Sequence, residues 1–154
     1  MDLNKAAVMA RDLMGYYLSP LQGWGFKFDR SLTHLGQCDH GNFTISLGRH
    51  ATGVNSEEQV LSTILHEITH ALVGYTHGHD DVWRAKAIEL GHSGKRCGDI
   101  AVKAPAKHRI ICYSCNYTWN LYRVSKRYLY NLNRMWCKGC GKEKSQGRLV
   151  LEAA

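Results

Sequence analysis

Residues 55–79, NSEEQVLSTILHEITHALVGYTHGH, constrain this chain more than any other stretch. Val60, Leu61, Ile64, Leu65, Ile68, Ala71 and Leu72 recur at helical spacing, which predicts a helix with one buried face. Ser56 with Gln59 three residues later forms a capping box, Glu57 and Glu58 suit the positive end of the helix dipole, and Gly74 supplies a stop. Within this helix His66, Glu67 and His70 spell H-E-x-x-H. Positions four apart on a helix are neighbours, about 5–6 Å apart at Cβ. Both imidazoles can therefore grip one Zn2+, with Glu67 placed beside the metal as general base.

A catalytic zinc takes three protein ligands and keeps a fourth position for water. His79 is the expected third ligand, because Gly78 before it eases the chain's return to the metal. His77 is the rival.

At 154 residues the chain is one domain, or one domain with a small appendage. No apolar run reaches the roughly 18 residues of a membrane span, and the first residues lack the layout of a secretory signal. A cytoplasmic location is expected, and there six cysteines point to metal binding rather than to disulfides. Charge is unevenly spread. Residues 1–94 hold 7 Lys/Arg against 10 Asp/Glu, whereas residues 95–154 hold 13 against 3, so the excess of +7 lies in the C-terminal third. That asymmetry suits a polyanion-binding module joined to a neutral-to-acidic body.

Ahead of the metal-binding helix, residues 2–14 predict a first helix closed by Gly15. Trp24, Phe26 and Phe28 alternate as in a half-buried strand, and residues 35–38 and 43–47 read as two more strands around a turn at 39–42. Together they predict a small antiparallel sheet whose edge can hold an extended peptide. Cys38 reads as a buried structural thiol. After His79, Asp80 can cap a helix running to Leu90, with Trp83, Ala87, Ile88 and Leu90 buried and Gly91 at its end. Residues 95–106 read as a linker, with Cys97 in it unassigned.

The second strong signal is Cys112-x-x-Cys115 and Cys137-x-x-Cys140, whose four thiolates suit a closed tetrahedral structural zinc. Gly139 and Gly141 fit the tight knuckle, and residues 110–111, 117–124 and 148–151 supply the strands of a four-cysteine zinc ribbon. So short a unit buries little apolar area and depends on its metal. Aromatic and basic side chains alternate along it. Trp119 and Tyr122, with Arg123, Lys126, Arg127 and Arg134, are the candidate nucleic-acid contacts, since cations meet phosphates and rings stack on unpaired bases.

The chain resembles the SprT-like, Spartan-related zinc metalloproteases over residues 10–148. Four features carry the resemblance: Trp24-Gly-Phe-Lys-Phe, the Asn55-Ser-Glu-Glu run into His66-Glu-Ile-Thr-His70, Gly78-His79 followed by Trp83, and the four-cysteine ribbon. It implies an α+β, zincin-like protease domain over residues 1–94, then the linker, then a basic four-cysteine zinc ribbon over residues 107–154. It further implies His66, His70 and His79 on a catalytic zinc, a second, structural zinc on the cysteines, and cleavage of proteins bound or crosslinked to DNA, single-stranded or distorted. Asp80 departs from the glycine that often follows the third histidine. The compact length is expected of a bacterial or phage-type member. Two other readings compete: a non-catalytic nucleic-acid-binding zinc-ribbon protein with a vestigial metal site, and a general peptidase with an incidental basic tail.

Overall fold

A computed structural model describes residues 1–19, 21, 23–96 and 105–154. The chain divides into two compact units, Met1–Ala104 and Pro105–Ala154. Cys97 and residues 98–104 of the expected linker lie outside the described residues.

The first unit is mixed α and β. Helix α1 (Leu3–Tyr17) starts where the Asp2 carboxylate accepts the Lys5 N–H, and it buries Ala6, Ala7, Ala10 and Met14. It runs through Gly15 for two further residues, because Leu18 is buried and its N–H continues the pattern onto the Met14 carbonyl. Three strands follow: β1 (Gly25–Asp29), β2 (Gly36–Asp39) and β3 (Thr44–Gly48). The tight turn between β2 and β3 makes that pair antiparallel. The sheet order is β1-β3-β2, however, and β1 runs parallel to β3, so the expected antiparallel sheet is in fact mixed.

The connection from β1 to β2 must therefore cross the end of β3. It does so at Gly48, whose N–H donates to the Leu35 carbonyl at 2.8 Å. A Cβ on Gly48 would lie 2.8 Å from the His34 carbonyl oxygen, so only glycine lets the crossover pass so close. Asp29 ties the same loop down, accepting from Ser31 N–H, from His34 Nε2 and from the buried Ser46 hydroxyl on β3.

A short helix α2 (Arg49–Val54), which lacks any apolar periodicity in the sequence, leads into α3 (Glu57–Val73). The capping box forms as drawn from the sequence, and Gly74 (φ 86°) ends the helix. The core joins α1, α3 and β3 through Ala10, Met14, Ile45, Leu47, Val60, Ile64 and Ile68. Each fully buried aliphatic side chain contributes about 1.5–3 kcal/mol, so this cluster holds α3 firmly against the sheet. Helix α4 (Asp81–Glu89) buries Trp83 and Ala87. Ile88, expected inside, is 58% exposed, because α4 packs along a narrow stripe that its periodicity overstates.

The second unit is a three-stranded antiparallel sheet of β4 (His108–Cys112), β5 (Thr118–Leu121) and β6 (Leu149–Ala153), with β4 in the middle. Between β5 and β6 run α5 (Lys126–Asn131), a 3-10 turn at Leu132–Arg134 and α6 (Gly141–Ser145), helical turns that sequence periodicity does not announce. Ile110, Cys112, Cys137 and Leu149 form its buried centre. Among the described residues no helix is long and apolar enough to cross a membrane.

Candidate functional site

Helix α3 presents His66 and His70 one turn apart, and the chain returns after Gly74. The Asp80 carboxylate caps α4 by accepting from the Trp83 N–H (3.0 Å) and also takes a hydrogen bond from His77 Nδ1 (2.8 Å). His77 is thereby turned to the cap, and His79 is the one that meets α3. Its Nε2 lies 3.0 Å from His66 Nε2 and 3.2 Å from His70 Nε2. A neutral ring nitrogen offers one N–H or one lone pair, so His79 Nε2 cannot satisfy both contacts by hydrogen bonding. Three such nitrogens gathered within 4.8 Å are a metal donor set. Around zinc, with Zn–N about 2.0–2.1 Å, tetrahedral neighbours sit roughly 3.3 Å apart, so the donor set fits that ion.

Electrostatics keep the rings in the ligand form. Burial lowers the His66 pKa to about 3, helped by the charges of His70, His79 and His92. Burial likewise lowers His70 to about 4, with His79 and His40 adding to the shift and a hydrogen bond to the His77 backbone opposing it. His79 is lowered by burial and by Arg96. Neutral imidazole is what a divalent cation binds, and the backbone bond at His70 fixes that ring's orientation.

Glu67 is buried, at 7% exposure. Burial pushes its carboxyl up to about 8, partly offset by the hydrogen bond it accepts from the Cys38 backbone N–H on β2. Strand β2 approaches closely because Gly36 lacks a side chain. A Cβ there would lie 2.9 Å from Glu67 Oε1 and 2.8 Å from Thr63 Cγ2. Cys38 is only half-buried rather than sealed in the core, and desolvation together with the Glu67 and Asp39 charges pushes its thiol up to about 12.

Trp83 forms the floor. It is fully buried, with its ring centroid 4.7 Å from His66, 5.4 Å from His70 and 4.7 Å from His79. Among the described residues its indole N–H has no hydrogen-bond partner. Beside it lies His92, 5% exposed, with its ring 5.5 Å from His66. His92 belongs to no sequence motif, and only its place after Gly91, the expected end of α4, hints that the chain turns back there.

In the second unit Cys112, Cys115, Cys137 and Cys140 gather within the same 4.8 Å limit. The Cys112–Cys140 and Cys115–Cys137 sulfurs are 3.9 Å and 3.8 Å apart. Disulfides need about 2.05 Å, whereas sulfurs on one tetrahedral zinc at about 2.3 Å sit roughly 3.8 Å apart. The donor set thus fits zinc. The buried Ser145 hydroxyl accepts from Cys137 N–H (2.9 Å) and donates to the Gly141 carbonyl (2.6 Å), which fixes the second pair's knuckle.

Of the candidate nucleic-acid contacts, Arg123, Lys126, Arg127 and Arg134 are exposed, and Trp119 and Tyr122 are half-buried. Trp119 lines a groove of about 760 Å³ with Tyr117, Trp136 and Lys138, beside Cys115, Cys137 and Cys140. The exposed Tyr117 and Trp136 are the residues a bare list of alternating aromatics fails to single out. Lys142 sits over the Trp136 ring at 5.8 Å and Arg134 over Tyr130 at 5.9 Å.

Among comparisons with known proteins, the SprT-like family model matches residues 9–104, more than half of the chain. The match spans His66, His70, His79 and Glu67 and stops short of Cys112, Cys115, Cys137 and Cys140. No curated protein matches.

Proposed function

Because the chain belongs to the SprT-like family, a relationship that points to a metalloprotease-type function, we propose that it is a zinc-dependent endopeptidase with a zincin-like catalytic domain and a four-cysteine zinc ribbon, acting on proteins bound or crosslinked to DNA. The observation that carries this is the convergence of three imidazole nitrogens next to a buried carboxylate. A purely structural metal site has no use for that carboxylate.

His66, His70 and His79 would hold the catalytic zinc, and Cys112, Cys115, Cys137 and Cys140 the structural one. When bound at the histidines, zinc supplies Lewis acidity that polarises a carbonyl and acidifies water. The chain's own residues do the rest. Strand β2 is an edge of its sheet, and an extended peptide added along it would pass Glu67. Glu67, with its raised proton affinity, takes a proton from the water whose oxygen bonds to the scissile carbon. It then delivers that proton to the amine nitrogen as the carbon–nitrogen bond breaks. Gly36 and the Cys38 N–H hold the carboxylate in one place for both transfers.

The DNA part rests on charge and rings. Residues 105–154 hold 10 Lys/Arg against 2 Asp/Glu. The aromatic groove beside the cysteines has a shape and chemistry suited to an unpaired base, with the nearby cations meeting phosphates.

The test is cleavage of a DNA-binding protein without DNA, with duplex and with single strands, before and after chelation. Glu67→Gln should keep the fold and metal content yet lose about 100- to 10,000-fold in rate. Replacing Arg123, Lys126 and Arg127 together by alanine should weaken DNA binding and flatten its salt dependence. Cleavage by Glu67→Gln at the wild-type rate would refute the mechanism, and DNA-independent cleavage would refute the substrate class.

A further inference from the structure

Hydrolysis of an amide builds negative charge on the carbonyl oxygen, and a preorganised donor aimed at that oxygen is worth much of the rate. Most polar groups around the histidines are already committed. His77 donates to Asp80, buried His92 accepts the Gly94 N–H at Nδ1, and Glu67 handles the water's proton. His40 is different. It opens the turn between β2 and β3, two residues beyond the Cys38 whose N–H reaches Glu67, and its ring lies 6.5 Å from that of Tyr75, just past the end of the helix that carries His66 and His70. The turn therefore leads from the carboxylate toward the metal ligands.

Several contacts hold the His40 ring in place. It packs edge-on against Trp24 (5.6 Å) and Tyr75 (6.5 Å), and its Nε2 lies 3.7 Å from Cys38 Sγ. The turn is rigid, because Asp39 accepts from both the backbone N–H (3.1 Å) and the side-chain amide (2.8 Å) of Asn42. A thiol is a weak partner, so the imidazole retains donor capacity at a half-exposed position. Tyr75 also carries a donor, but at 83% exposure its phenol is far less restrained.

We propose that His40 is a substrate-contacting residue of this site, its ring N–H donating to the carbonyl oxygen of the bond being broken. This rests on the peptidase reading. Trp24 and Tyr75 act as positioning residues for the ring.

The test compares His40→Phe, which keeps an aromatic ring between Trp24 and Tyr75 but has no N–H, with His40→Gln, which restores a donor. On a peptide cleaved by the full-length wild type, His40→Phe should lose about 100-fold in kcat while KM changes by less than about threefold, and His40→Gln should regain about tenfold. Zinc content should match the wild type, and affinity for a phosphinic peptide, whose tetrahedral oxygens mimic the charged intermediate, should fall in step with kcat. A His40→Phe kcat within about threefold of the wild type would overturn the proposal. So would loss of zinc in that variant, or a kcat loss that follows Tyr75→Phe and spares His40. If Glu67→Gln is inactive while His40→Phe is active, only the role of His40 falls. If Glu67→Gln cleaves normally, the peptidase reading falls and takes this one with it.

Discussion

In the first unit the three gathered imidazoles hang on elements that have other reasons to fold. Helix α3 is capped at both ends and sealed, among the described residues, by a cluster of twelve buried residues that includes none of the three histidines. In the second unit the buried centre has four residues, and two of them, Cys112 and Cys137, are thiol bearers. The first unit thus positions its donors with a frame, whereas in the second the donors are much of the frame. A metal is expected to tune chemistry in one and to hold structure in the other.

The largest expected effect breaks this comparison or secures it. On the zinc reading, stripping metal from the full chain, or replacing Cys112 by serine, should unfold residues 105–154 and leave α1 and α3 folded. Structural zinc contributes on the order of 10 kcal/mol to small domains. Amide exchange mapped along the chain measures this, and equal loss of protection in both units would end the contrast.

Next in size is Trp83→Ala, which removes the floor under three imidazoles. Truncating so large a buried ring costs about 3–5 kcal/mol. Chemical denaturation should show that loss in the first unit only, along with weaker metal binding there.

A third effect turns on pH. The folded-state pKa of Glu67 is raised from 4.5 to about 8, so the folded form holds a proton that the unfolded form releases in that window. In metal-free protein its contribution to stability therefore falls as pH rises from 4.5 to about 8, and stays low above that. Glu67→Gln should be more stable than the wild type above that window, by a few kcal/mol at most, with the gap closing toward pH 4.5. Added zinc should narrow the gap, since a nearby cation favours the ionised carboxylate. Denaturation curves at stepped pH would decide it, and a gap that widened on acidification would contradict the burial argument.

The smallest is Gly36→Ala. Its methyl would collide with Thr63 and Glu67, costing about 1–3 kcal/mol and displacing the carboxylate. Thermal unfolding and cleavage rate should both fall, with the rate more affected.

Much of this was legible in the sequence where local chemistry decides the outcome. The capping box, the Gly74 stop, the Asp80 cap and the gathering of His66, His70 and His79 all follow from short-range spacing. Strand alternation located β1, β2 and β3 but carried no information about partners. The parallel pairing of β1 with β3 depends on a glycine letting a crossover pass, which no periodicity records. His40 and His92 were missed as site residues for a related reason. A turn and a loop bring them to the site, and neither belongs to a motif. Ile88 shows the converse error, since helical spacing marks a possible buried face without saying how wide a surface the neighbours cover.

The indole of Trp83 touches each of the three imidazoles, so its excited state responds to whatever those rings hold. On the zinc reading, the chain would therefore carry its own optical gauge of site occupancy. Emission that differs between wild type and Trp83→Phe would report metal arrival and departure in real time, without any substrate being turned over.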